Sequence, residues 1–201
     1  MPHLTDLTGL AGIASLMAAL LLQLPRVRQL PKRYLAMLAA AVFALSLIPI
    51  AGMPLAGYVR GIVGDLSITT VVLAWAAILR PHYPTMEARH RQHLLALVAA
   101  SALVFYPMTL GISMTDPYSL GYGDTAFVAT ALTIASAAWL LRYSLIATSL
   151  ALATLAWSLG WYESTNLWDY LLDPLVAIYA AGLLFRLGMN KYRIFGAKFN
   201  R

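Results

Sequence analysis

Apolar runs long enough to cross a bilayer constrain this chain more than any other feature. They lie at about residues 7–24, 34–50, 57–79, 94–113, 125–141, 143–161 and 170–188, and they consist mainly of Ala, Leu, Val and Ile. A hydrocarbon core about 30 Å thick needs roughly 20 apolar residues of helix, each rising about 1.5 Å. Soluble domains rarely combine 61% hydrophobic with 11% charged residues, as these 201 residues do. The apolar residues are continuous and do not alternate in the short segments of an outer-membrane barrel, so no strands are expected. The fold class is read as an all-α polytopic membrane protein, a single domain over residues 1–201 built as a bundle of seven transmembrane helices.

The charges give the bundle a direction. Of fourteen Lys and Arg residues, all but Arg60 fall in the segments after the first, third, fifth and seventh runs or at their ends. Basic loops remain in the cytoplasm, so the amino terminus is placed outside and the carboxy terminus inside, in a plasma or bacterial inner membrane. Of the eight acids, only Glu87 shares the basic side. The net charge of +6 suits the anionic cytoplasmic leaflet and does not call for nucleic acid. The first run lacks a basic segment before it and a small-residue cleavage site after it, so it is expected to be a retained helix.

Local signals refine this reading. Gly52-Met53-Pro54 is expected to form an external turn, and Thr85 with Glu87 a helix start. Pro107 is expected to kink the fourth span where Ser101 or Thr109 compensates. The pairs Ala126/Thr130 and Ala147/Ala151 offer small faces for helix contact. Trp157, Trp161, Trp168, Tyr118, Tyr122, Tyr162 and Tyr170 fit an interfacial aromatic belt.

The candidate site is the acidic, aromatic stretch 161–174, which holds Glu163, Asn166, Asp169 and Asp173. A helix starting only at Pro174 and ending at Gly188 is too short to span, so the seventh span is expected to begin near Tyr170, with Asp173 about one turn below the outer surface. On one continuous helix, Asn166, Asp169 and Asp173 share a face. The same length argument starts the third span near Gly57, which puts Arg60 and Asp65 inside the outer half of the membrane, with Gly61, Asp65 and Thr69 as one stripe. Ionisable groups at that depth need a partner or a wet cavity. Arg60, Asp65, Glu163, Asn166, Asp169 and Asp173 are therefore the candidate binding residues. Asp116, Tyr118, Tyr122 and Asp124 in the preceding external loop are secondary candidates. For Asp116 and Asp124 the plainer roles are a turn before proline and a helix cap. A purely structural Asp173 is expected to tolerate substitution by Asn.

Several chemistries are excluded. Cysteine is absent, so no disulfide, thiolate metal site or cysteine nucleophile exists. The last span has no lysine for a retinal Schiff base, and no histidine lies within a span to ligate haem. His82, His90 and His93 stand beside arginines with only Glu87 as an acidic ligand, a poor metal set. No P-loop, nucleophile elbow or HExxH occurs. No cofactor is expected, and any metal would be a hard one, Ca²⁺ or Mg²⁺, on carboxylate oxygens.

Two function classes remain open. In the first, an outward-facing acidic cavity binds a cation, a lipid head group or a membrane-protein partner, in a cell-envelope assembly or a carrier system. In the second, an intramembrane enzyme acts on a lipid-linked substrate with Asp65 and Asp173 as acid and base or as metal ligands. The sequence does not decide whether the protein is an enzyme.

Overall fold

The computed structural model describes residues 4–81, 88–112 and 114–199, and the side chains of all these except 4, 88 and 190–199. The described residues are mainly helical: α1 (Leu4–Leu22), α2 (Lys32–Ser46), α3 (Leu55–Val63), α4 (Ile68–Leu79), α5 (Ala88–Pro107), α6 (Thr125–Leu140), α7 (Ser144–Ser158), α8 (Leu167–Leu171) and α9 (Pro174–Phe199). The expected helix start at Thr85 and Glu87, and His82, lie outside the described residues, as do the side chains of the basic tail from Lys191.

Helix α1 packs against α2, α3 and α4; α4 leads to α7; α7 contacts α5, α6 and α8; and α5 packs against α9. The central helices are therefore α4 and α7. Alanine dominates the contacts. Ala14, Ala18, Ala56, Ala153, Ala156 and Ala180 are each at most 2% exposed, whereas Ile62, Leu103, Trp139, Leu140, Ile178 and Phe185 are at least 70% exposed. Small side chains bring backbones close and gain dispersion contacts. Against its main neighbour α7, helix α6 buries Ala131, Ala135 and Ala138. The pair Ala126/Thr130 expected for such a contact is exposed.

Two expected spans are broken. The third is two helices, because Gly64 ends α3 with φ 77° and its N–H bonded to Arg60 O, and Ser67 then starts α4 by accepting Thr70 N–H. A left-handed glycine cap followed by a serine N-cap ends one helix and begins another. Asp65 is thus in the break, and the stripe through Gly61, Asp65 and Thr69 does not form. The seventh span separates into α8 and α9 at Leu172, whose backbone is extended at φ −142° and ψ 131°. Pro174 is the first residue of α9 and not a kink within a longer helix. The expectation of a continuous helix from Tyr170 rested on an end at Gly188, but α9 runs on to Phe199.

Elsewhere, residues 49–54 close as a two-residue antiparallel ladder, Pro49–Ile50 with Met53–Pro54, around Ala51 and Gly52, whose φ values are 55° and 92°. These are the dihedrals of a tight hairpin turn, one residue earlier than expected, and the short ladder is strand where none was expected. After Pro107, α5 passes into one wide π turn, Met108–Ile112, where Thr109 Oγ1 donates to Tyr106 O at 3.0 Å. Two helical segments, 5–22 and 89–112, are long and apolar enough to cross a membrane by length and composition.

Candidate functional site

The two breaks meet. Asp173, 6% exposed, lies at the junction. Its Oδ2 accepts Ser67 N–H at 2.9 Å, Ser67 Oγ–H at 2.7 Å and the Thr70 hydroxyl, while its Oδ1 accepts Val176 N–H at 2.8 Å. One carboxylate therefore caps the first turns of both α4 and α9, where orphan N–H groups and the helix dipoles favour negative charge. Thr69 Oγ1 adds a second tie across the junction, donating to Leu171 O at 2.7 Å. Leu66, Ser67 and Leu172 are also buried, so the junction itself is enclosed by protein, whereas Gly64 at the α3 end of the first break is exposed.

Arg60 forms a separate cluster on the last turn of α3. It donates side-on to Asp65 through Nε at 2.6 Å and Nη2 at 3.0 Å, and reaches Asp6 on α1 through Nη1 at 3.0 Å. The side chains of Arg60, Asp65 and Asp6 are 19%, 27% and 36% exposed, which makes this a half-buried network. Gly9 allows the approach: a Cβ there would stand 2.3 Å from Asp65 Oδ1 and 2.6 Å from Arg60 Nε. Asp6 was not among the residues singled out from the sequence. Its position in the first turn of α1 was the only available signal, because a contact spanning 54 residues has no local signature.

The third cluster locks the outer loop. Asn166, fully buried, is the N-cap of α8: its Oδ1 accepts Trp168 N–H and its Nδ2 donates to Tyr118 O, each at 2.9 Å. Gly121 leaves the space, since a Cβ there would fall 1.7 Å from Asn166 Oδ1. Asp169 accepts the Tyr118 hydroxyl at 3.1 Å and the Ser164 hydroxyl at 2.5 Å. Burial and the Asp169 carboxylate push the Tyr118 phenol well above its ordinary pKa. Trp168 Nε1 donates to Pro117 O at 2.8 Å, and the Tyr170 hydroxyl donates to Ser164 O at 3.0 Å and accepts Tyr162 N–H. Asp116 caps the 3-10 turn 117–121, Asp124 caps α6, and Tyr122 meets the Tyr118 ring edge-on at 5.5 Å. Glu163 is exposed.

The residues singled out from the sequence thus divide among three places and do not line one cavity. Arg60 binds Asp65 and Asp6, while Asp169 and Asp173 are satisfied by hydroxyl and N–H donors. Because only Leu167–Leu171 is helical, Asn166, Asp169 and Asp173 do not share a helix face. Tyr162 lies between the first two clusters, and burial together with the Asp65 carboxylate raises its phenol pKa. Among the described residues, no three His, Asp or Glu side chains gather as a metal-ligand set. No family model, curated protein or solved structure matches the chain.

Proposed function

We propose that the chain is a multi-pass membrane protein of seven spans, with its amino terminus outside and its carboxy terminus in the cytoplasm, which binds the cationic group of a ligand or partner at its outer face. Three features support the membrane reading. Many large apolar side chains face outward, while alanines make up much of the buried core. The charges are asymmetric. The junction where the two helix breaks meet, at Leu66, Ser67, Leu172 and Asp173, is buried in protein, as irregular backbone at membrane depth requires.

The observation that carries the binding reading is the Arg60–Asp65–Asp6 cluster. Among the described residues, two carboxylates stand against one guanidinium at this half-exposed position beside the α3–α4 break. An organic cation suits it, such as the ammonium of a phospholipid head group or a basic segment of a partner protein. Such a role belongs to an envelope-assembly component or a carrier, and paired broken helices meeting inside a bundle are a device of carriers. The enzymatic alternative has less support, because Asp65 is held by Arg60 and Asp173 by four donors, so neither is free for proton transfer.

The test has two parts. Retention in membranes after an alkaline wash, with external labelling of cysteines placed at Ser119 or Ser164 and none at Gln92, checks the topology. Vesicles of phosphatidylethanolamine, compared with phosphatidylglycerol, check the site: the first should raise the melting temperature of the wild type, and Asp6→Asn should reduce that rise. Equal responses to the two lipids, or an undiminished response in Asp6→Asn, defeat the head-group reading.

A further inference from the structure

A crevice of about 130 Å³ runs between α5, α6 and α7, with an apolar wall broken by the hydroxyls of Thr69, Ser101, Thr130 and Ser149. Trp168 closes one end, held between Phe105 and Phe127 at ring separations of 4.4 and 4.7 Å. Leu97, Thr130 and Ile134 on its wall are exposed, so it opens sideways toward whatever surrounds the bundle.

Ser149 sets this cavity apart. It is 1% exposed, yet its Oγ has no hydrogen-bond partner. A helical hydroxyl commonly returns its proton to the carbonyl four residues back, as Ser15, Thr130, Thr133, Ser136 and Thr154 do at 2.7 to 2.9 Å. Ser149 faces the crevice instead. Thr69 and Thr130 already give their protons to backbone carbonyls, so Ser149 is the fully buried wall hydroxyl whose proton has no acceptor.

From a sideways-opening apolar chamber with one fully buried, unsatisfied hydroxyl, we infer that the crevice binds the chain of a bilayer amphiphile, an alkyl or isoprenyl chain whose hydroxyl or carbonyl oxygen bonds Ser149 Oγ. The inference rests on the membrane reading, since the bilayer supplies the ligand.

The full-length protein in phospholipid vesicles is photolabelled with a diazirine-bearing long-chain alcohol or with the matching diazirine alkane, and labelled residues are mapped by peptide mass spectrometry. The alcohol should mark wall residues such as Leu97, Ile134 and Leu150. Ser149→Ala removes only an unpartnered oxygen and should lower alcohol labelling about three- to tenfold while leaving alkane labelling unchanged. Ala131→Phe, which fills the chamber, should abolish both. Labelling absent from the wall, alcohol labelling unchanged in Ser149→Ala, or wall labelling that survives Ala131→Phe overturns the inference. The same preparation is washed with alkali. Release from the vesicles defeats the membrane reading, whereas a retained protein with an unlabelled crevice defeats this inference alone.

Discussion

Asp65 and Asp173 both sit at helix breaks, yet they are compensated in opposite ways. Asp65 is 27% exposed and takes a guanidinium side-on. Asp173 is 6% exposed and takes four neutral donors from two helix starts. Depth explains the difference. An ion pair near the surface needs only partial desolvation, whereas burying a guanidinium beside Asp173 would add a second charge to desolvate. Fixed N–H and O–H dipoles hold the buried charge without that cost. The shallow pair keeps some contact with solvent; the deep carboxylate joins two broken helices.

Removing the deep carboxylate should have the largest effect. Asp173→Ala strips the caps from α4 and α9 and leaves Ser67 and Val176 N–H groups buried without acceptors, for a loss of about 3 to 5 kcal/mol in reversible unfolding. A loss below about 1 kcal/mol would break the comparison, because the two breaks would then not depend on this residue. Asp173→Asn sharpens it. The amide keeps one acceptor oxygen but presents an NH₂ either to Val176 N–H or to the Ser67 and Thr70 donors, so a loss of about 1 to 2 kcal/mol is expected. The donor set removes the tolerance of Asn that the sequence alone suggested.

Arg60→Ala should cost less, about 1 to 3 kcal/mol, between the ranges for exposed and buried pairs. Double-mutant cycles in the same assay should show coupling to Asp65 and Asp6 and none to Asp169 or Asp173. Coupling between Arg60 and Asp173 would merge the two regions that the structure keeps apart. Gly9→Ala, with a Cβ 2.3 Å from Asp65 Oδ1, should destabilise the shallow cluster by about 1 to 3 kcal/mol by overpacking. If Gly9→Ala is neutral, the cluster tolerates displacement and its geometry is not fixed by α1.

The smallest effect tests the outer lock. Tyr118→Phe removes one of two hydroxyl donors to Asp169 and should cost about 0.5 to 1.5 kcal/mol. Because the folded phenol pKa is raised, its contribution to stability is complete below the ordinary tyrosine pKa of about 10 and is lost as pH rises through the higher folded value. The wild-type advantage over Tyr118→Phe should therefore hold from neutral pH to about pH 9 and shrink only above it. An advantage that shrinks below pH 9 would mean that this hydroxyl is not the donor to Asp169.

The sequence by itself determined that the described chain is helical, because its apolar residues are continuous and its polar ones punctuate. It also determined local punctuation that depends on near neighbours: Asp124 caps α6, Asp116 the 3-10 turn, and Thr109 bonds beside Pro107. The α3–α4 break also has a local signal, since Gly64 and Ser67 are a helix stop and a helix start three residues apart, but the length argument for an unbroken span did not draw on it. Only the tertiary structure decided which groups compensate which charges. Asp6 reaches Arg60, and Asp173 reaches Ser67 and Thr70, across 54, 106 and 103 residues. Local sequence encodes hydrogen bonds within a turn or two. Pairing at such separations depends on which helix ends the packing of small residues brings together, and no spacing in the chain records it.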